Sequence, residues 1–319
     1  PIYANWVWGG GWLSALGRNF GLGHGHVDFA GSSVVHLTGG VAAFVGAKML
    51  GPRLGKYNRD GSANPIPAHN IPMALLGTFI LAFGWFGFNA GSTLSGSDTR
   101  ISVIAVNTML ASASGAFAAC LYVWGRYGKP DPTWLANGML AGLVAITAPC
   151  AFVSAPAAVL IGAVAGVLVV VSATFVEQKL RVDDPVGASS VHGACGAWGI
   201  LALGLFANGS YGNGWNGVDG PVRGLFWNDP GQFWAGVIGI FANVVFVSSM
   251  TALVMFIVGR LTGNHRVTAD VEMSGLDIPE MGVHGYAPDT AGHVAPHPPS
   301  SMGRPGSATS TGNRFIRGL

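Results

Sequence analysis

Two histidines, His36 and His192, are the ionisable side chains that fall well inside apolar runs of this chain. A neutral imidazole donates a hydrogen bond from one ring nitrogen and accepts at the other, and it titrates near neutrality. Buried histidines of this kind are equipped to bind a small polar solute or to pass a proton. Both lie in a shared local pattern: Asp28-x-x-Gly31-x-x-x-x-His36 within VDFAGSSVVHLTGG, and Asp184-x-x-Gly187-x-x-x-x-His192 within VDDPVGASSVHGACG. A lone buried histidine is more commonly a packed polar residue bonded to a neighbouring helix. Two histidines in matching contexts argue instead for a shared role. Eight residues of helix span about 12 Å, so each acid is expected near an interface and each histidine near mid-bilayer, with Asp28 at the outer end of its span.

The elements that carry these residues are apolar helices. Of 319 residues only 9% are charged, and the mean hydropathy is +0.46. Ordinary soluble domains carry about 25% charged residues, so the chain reads as an all-α polytopic membrane protein. A crossing needs about 20 apolar residues. Seven are expected, at 27–49, 71–93, 101–125, 133–153, 156–177, 187–207 and 231–259, preceded by an interfacial stretch with Trp6, Trp8 and Trp12. These divide the chain into a transmembrane region, 1–260, and a cytoplasmic tail, 261–319, whose Gly, Pro, Ser and His content predicts that it is mostly disordered. Fifty glycines, many within apolar segments, predict close helix packing. Cys120, Cys150 and Cys195 all fall in expected spans and predict no disulfide framework.

Alternate loops carry Lys48, Arg53, Lys56, Arg59, Arg126, Lys129, Lys179, Arg181, Arg260 and Arg266, against Arg18, Arg100 and Arg223 on the other side. This asymmetry predicts a cytoplasmic C-terminus and an exterior Pro1. The two histidine spans then run in opposite directions, as an inverted repeat requires, with a substrate site between the halves near the midplane. Other classes are disfavoured. No lysine lies in the last span, as a retinal protein needs. No basic run suggests nucleic acid, no phosphate loop or nucleophile triad suggests an enzyme, and no cofactor is implied. The nearest approach to an aquaporin motif, Asn64-Pro65-Ile66, is in a loop. His24-x-His26 alone is a weak metal signal.

The runs WGGGWLSALG at 8–17, DFAGSSVVH at 28–36, GTFILAFGWFGFNAGS at 77–92, NGMLAGLVAITAPC at 137–150, RVDDPVGASSVHGACGAWG at 181–199 and GLDIPE in the tail resemble the ammonium transporter (Amt/Mep/Rh) family. The resemblance implies a trimeric plasma-membrane protein of eleven helices in two inverted repeats plus one, of which this chain carries helices five to eleven. It further implies ammonium and ammonia as substrates, with NH4+ deprotonated and NH3 and H+ passed separately. By the same resemblance His36 and His192 are the paired pore histidines, and Trp8 and Ser92 belong to the outer ammonium site. Phe88 is a gate residue, Trp85 lines the pore, and Asp28 supports the outer vestibule without touching the cation. The run EMSGLDIPEMGVHGY resembles a cytoplasmic segment that receives a PII-type regulator. Gly187 stands where some relatives carry a further acid, so no role of that acid transfers. Alternatives are an ammonium sensor or transceptor on the same pore, or a nonfunctional gene fragment, since the chain begins at Pro1 and not at Met.

Overall fold

A computed structural model of the chain describes residues 1–211 and 213–286. It divides into two compact units, Pro1–Arg266 and a second that begins at Val267. Besides a short 3-10 helix at Leu225–Trp227, the first contains nine helices among its described residues: α1 (Ile2–Trp8), α2 (Leu16–Phe20), α3 (Ser32–Leu50), α4 (Ile71–Ala90), α5 (Arg100–Tyr127), α6 (Pro132–Ile146), α7 (Ala155–Gln178), α8 (Ser189–Phe206) and α9 (Pro230–Thr262). Several starts are written locally. Asn70, Asp131 and Asp229 each accept a backbone N–H of the first turn of α4, α6 and α9, with proline at the start of the helix. Gly128, in the left-handed region, ends α5.

Six of these helices, α3, α4, α5, α7, α8 and α9, are long and apolar enough to cross a membrane. Their outward faces are apolar, as at Phe79, Phe83 and Phe241, which suits lipid rather than water. The expected crossing at 133–153 differs. Helix α6 stops after 15 residues, a length of about 22 Å. The residue before a proline is disfavoured in the helical region, and Pro149 lies three residues beyond Ile146. Residues 147–153 fold as turns instead. Asn107 of α5 donates to the carbonyls of Cys150 and Val153 at 2.9 and 2.8 Å, satisfying two of the groups that a broken helix leaves open.

Helices α5, α6 and α7 form the densest part of the unit. Side chains at Gly142 and Gly166 would overlap the backbone carbonyls of Ala111 and Gly115, so the glycines let these backbones touch. The cysteines are free thiols, Cys150 and Cys195 being buried and Cys120 half-buried. The second unit contains α10 (Ala269–Ser274) and a wide helical turn, Asp277–Met281, closed by a hydrogen bond from Gly285 N to Asp277 at 2.8 Å. The part of the tail on which the expectation of disorder mainly falls, 287–319, lies outside the described residues.

Candidate functional site

Each of the two acids lies just before its helix and not within it. The first span begins at Ser32 and not at 27, so Asp28 folds back over the helix start. Its carboxylate accepts from the backbone N–H groups of Gly31, Ser32, Ser33 and Val34 and from the Ser33 hydroxyl, all at 2.8–3.0 Å. These are the donors that a helix N-terminus leaves without intrahelical partners. Asp184 repeats the arrangement with the N–H groups of Ala188 and Ser189 and the Ser189 hydroxyl, at 2.6–2.9 Å. Gly31 at φ +123° and Gly187 at φ +71° supply the turn between acid and helix, a backbone region that side chains disfavour. In both helices the first turn is then a wide, π-helical one, Ser32–Leu37 and Ser189–Ala194, and the histidine sits within it. Such turns recur at functional sites.

The two histidine segments meet at glycines. A side chain at Gly40 would overlap the Gly193 backbone, and one at Gly196 would lie 2.5 Å from the Ser32 carbonyl oxygen. This close crossing brings the imidazoles together: His36 Nδ1 and His192 Nδ1 are 3.2 Å apart, with ring centroids 5.3 Å apart at an interplanar angle of 19°. A contact between two Nδ1 atoms needs one of them to donate and the other to accept, so the pair holds a single proton between its facing nitrogens. The rings of Trp85 and Phe88 cover His36, at 5.1 and 5.5 Å between centroids. Trp85 is locked by its indole N–H, which donates to Thr147 Oγ1 at 3.0 Å. The other ring nitrogen of His36, Nε2, is buried without a hydrogen-bond partner.

His36, His192, Trp85 and Phe88 are thus brought into one cluster. Trp8 and Ser92 are bonded elsewhere, not to each other. The Trp8 indole N–H donates to the Asp28 carbonyl at 2.7 Å, and the residue remains 47% exposed. The Ser92 hydroxyl donates to the Phe88 carbonyl at 2.7 Å, which leaves its oxygen lone pairs free to accept. Sequence reasoning passed over Ser33, Ser189, Gly40 and Gly196. Their signal was present: with the two acids superposed, a serine follows each by five residues and a glycine follows each histidine by four.

Outside the helices, the loop after α3 docks beside the second acid pair. Arg53 holds Asp183 through its backbone N–H and both arms of its guanidinium at 2.8–2.9 Å, and Lys56 pairs with Glu177. Burial alone would raise the Asp183 carboxyl, but the Arg53 hydrogen bonds outweigh it and hold the group below its ordinary value. A cavity of about 610 Å³ borders this corner, lined in part by Arg53, Thr78, Trp134, Asp184 and Ser190. His24 and His26 are both buried, and no group of three or more potential metal ligands occurs among the described residues.

Comparison with known proteins places this geometry. The chain is 47% identical over 289 residues to the ammonium transporter Amt2 of Archaeoglobus fulgidus, covering 90% of the chain and 61% of that protein. It is 38% identical to Amt1 of Haloferax mediterranei, covering 93% and 56%. Among solved structures, a Sensor Amt Protein superposes with a TM-score of 0.78 at 36% identity, covering 88% of this chain and 66% of that one. Mep2 of Candida albicans superposes at 0.71 and 30%, covering 84% and 57%. The chain therefore spans roughly three-fifths of the length of the curated relatives it matches. The model of the Ammonium Transporter Family matches residues 1–286, and the chain belongs to that family as a multi-pass, all-helical membrane protein.

Proposed function

We propose that the chain forms a conduction path for ammonia, in which ammonium gives up its proton before crossing. The observation that carries this reading is the His36–His192 contact at 3.2 Å, with His36 Nε2 buried and unpartnered beneath Trp85 and Phe88. A bare cation moved into low dielectric loses tens of kcal/mol of hydration by the Born estimate. Ammonium alone among the common small cations escapes that cost by dissociating into NH3 and H+. The neutral molecule then needs hydrogen-bonding partners along an apolar path, and the free Nε2 offers one. The released proton has the imidazole pair as its carrier, so net transport is electrogenic although the two species pass separately.

The outer steps follow the same chemistry. Trp8 presents an exposed indole face, and cation–π attraction is worth about 0.5–2 kcal/mol. Ser92 offers lone pairs to an ammonium N–H. Phe88 and Trp85 flank the histidines as gate and wall. The Lys and Arg asymmetry supports an exterior Pro1 and a cytoplasmic tail in the plasma membrane. Homotrimer assembly and reception of a PII-type protein at 272–286 belong to the same proposal. The likeness to a Sensor Amt Protein favours a second reading, ammonium sensing on the same pore.

The test is ammonium-driven current across proteoliposomes carrying the full-length protein. Replacing both His36 and His192 by Ala abolishes it, and a current that survives unchanged rejects the proton relay. A wild-type protein that binds ammonium yet carries neither current nor ammonia flux supports sensing instead.

A further inference from the structure

One buried histidine has no part in the path above. His26 is 0% exposed and lies two residues before Asp28. Its Nε2 stands 2.8 Å from Ser33 Oγ, and that hydroxyl is itself bonded to Asp28 Oδ2 at 2.8 Å. A carboxylate only accepts, so the Ser33 proton is committed to Asp28. The imidazole nitrogen that faces Ser33 must then be the donor. His26 is thereby held with a proton on Nε2.

The ring can occupy this place because α9 has no side chain there: a Cβ at Gly239 would overlap it. The His26 backbone is tied down from two directions, its N–H donating to the Leu13 carbonyl at 3.0 Å and its carbonyl accepting from Asn216 at 3.3 Å. The Ser33 carbonyl accepts in turn from Thr38 and Asn243 at 3.2 and 3.3 Å, which ties the first turn to the helix beyond it and to α9. The second repeat has the same Asp184–Ser189 cap, but among the described residues no histidine is bonded to that serine.

We propose that His26 is a positioning residue: by donating to Ser33 it fixes the serine hydroxyl on Asp28 and so sets the wide turn that aims His36 at His192. The residue acts through Ser33 and Asp28 and touches neither substrate nor proton. In the arm that measures current, the inference rests on the transport reading above; in the spectroscopic arm it does not.

The experiment compares wild type, His26→Leu, His26→Gln, Ser33→Ala and the His26→Leu/Ser33→Ala double variant in the full chain. Each is first checked for helicity and monodispersity. Nitrogen-15 spectra of the histidine rings are expected to report His26 as the Nε2–H tautomer, and His26→Leu to move the His36 ring signals. Maximal current in His26→Leu falls about fivefold, the size of one lost hydrogen bond, while the half-saturating ammonium concentration stays put. His26→Gln, which keeps an N–H donor at the same reach, recovers most of the current. The double variant is no slower than either single one, because both remove the same link. An Nδ1–H tautomer, unmoved His36 signals in His26→Leu, or a His26→Gln variant as slow as His26→Leu would overturn the proposal. If wild type carries no current, the transport reading falls and the spectra alone decide this one.

Discussion

The segments 28–40 and 184–196 solve the same problem with unequal means. Each starts a helix with an acid, a turning glycine and a serine, and each delivers a histidine to the same contact. The first is sealed. Asp28 is 1% exposed, accepts five hydrogen bonds and has a third layer behind it in His26. The second opens outward. Asp184 is half-buried, accepts three, and lines the 610 Å³ cavity beside Arg53. One imidazole is therefore held by an interior polar network and the other by a cap that water can reach. A matched pair of motifs need not be a matched pair of anchors.

That contrast can be broken or sharpened by substitution. The largest effect is expected at the crossing. Gly40→Ala drives a methyl into backbone that cannot move aside, and overpacking of this kind costs about 1–3 kcal/mol or more. Gly193→Ala, whose nearest neighbour would be the Gly40 carbonyl carbon at 3.5 Å, stays within about 0.5 kcal/mol of wild type. Thermal unfolding in detergent separates the two, and equal losses would mean that the joint is softer than described.

Next come the caps. Asp28→Ala strands several buried donors and is expected to cost about 3 kcal/mol. Asp184→Ala behaves as the loss of an ordinary cap, about 1–2 kcal/mol. Equal shifts in unfolding midpoint would erase the distinction between sealed and open. At the proposed outer site, Trp8→Ala is expected to raise the half-saturating ammonium concentration about twofold to thirtyfold, as loss of a cation–π contact would, with maximal current unchanged. Smallest is the response to acid at the open end. Asp183 is held below its ordinary carboxyl value, so its contribution to stability is present above about pH 4 and is lost as pH falls through the lowered value. Asp183→Asn should flatten the acid limb of the stability curve and leave the neutral region merely lowered.

Much of this was legible in the chain, because the acid, glycine and histidine spacing reports two copies of one backbone manoeuvre. The helical spans were equally plain from apolar length, since a bilayer sets that length directly. What was not legible arises where short-range chemistry overrides apolarity. The run through 147–153 is as greasy as a helix, yet Pro149 and the side chain of Asn107 turn it into capped loops. Asp28 was expected one helical stretch away from His36. It lies off the helix altogether, because an acid that finds free N–H groups gains more by covering them than by extending the coil. The wide first turns depend on which carbonyl each N–H chooses, and no single residue type encodes that choice. His26 drew notice only as half of a weak metal pair. Its partner, Ser33, lies seven residues on, and the notch at Gly239 lies on α9.

The meeting of Gly40 and Gly193 has a mechanical consequence. Transporters that rock between inward- and outward-facing shapes need interfaces that slide or hinge, with side chains that repack as they go. Here backbone abuts backbone beside the imidazoles, and no side chain is interposed to act as a bearing. The two histidine segments are pinned at their crossing, where a rocking machine would need freedom to pivot. On the proposed conduction reading, throughput would be governed by how fast protons are handed over between rings held at a fixed spacing, and it would show the shallow temperature dependence of a channel.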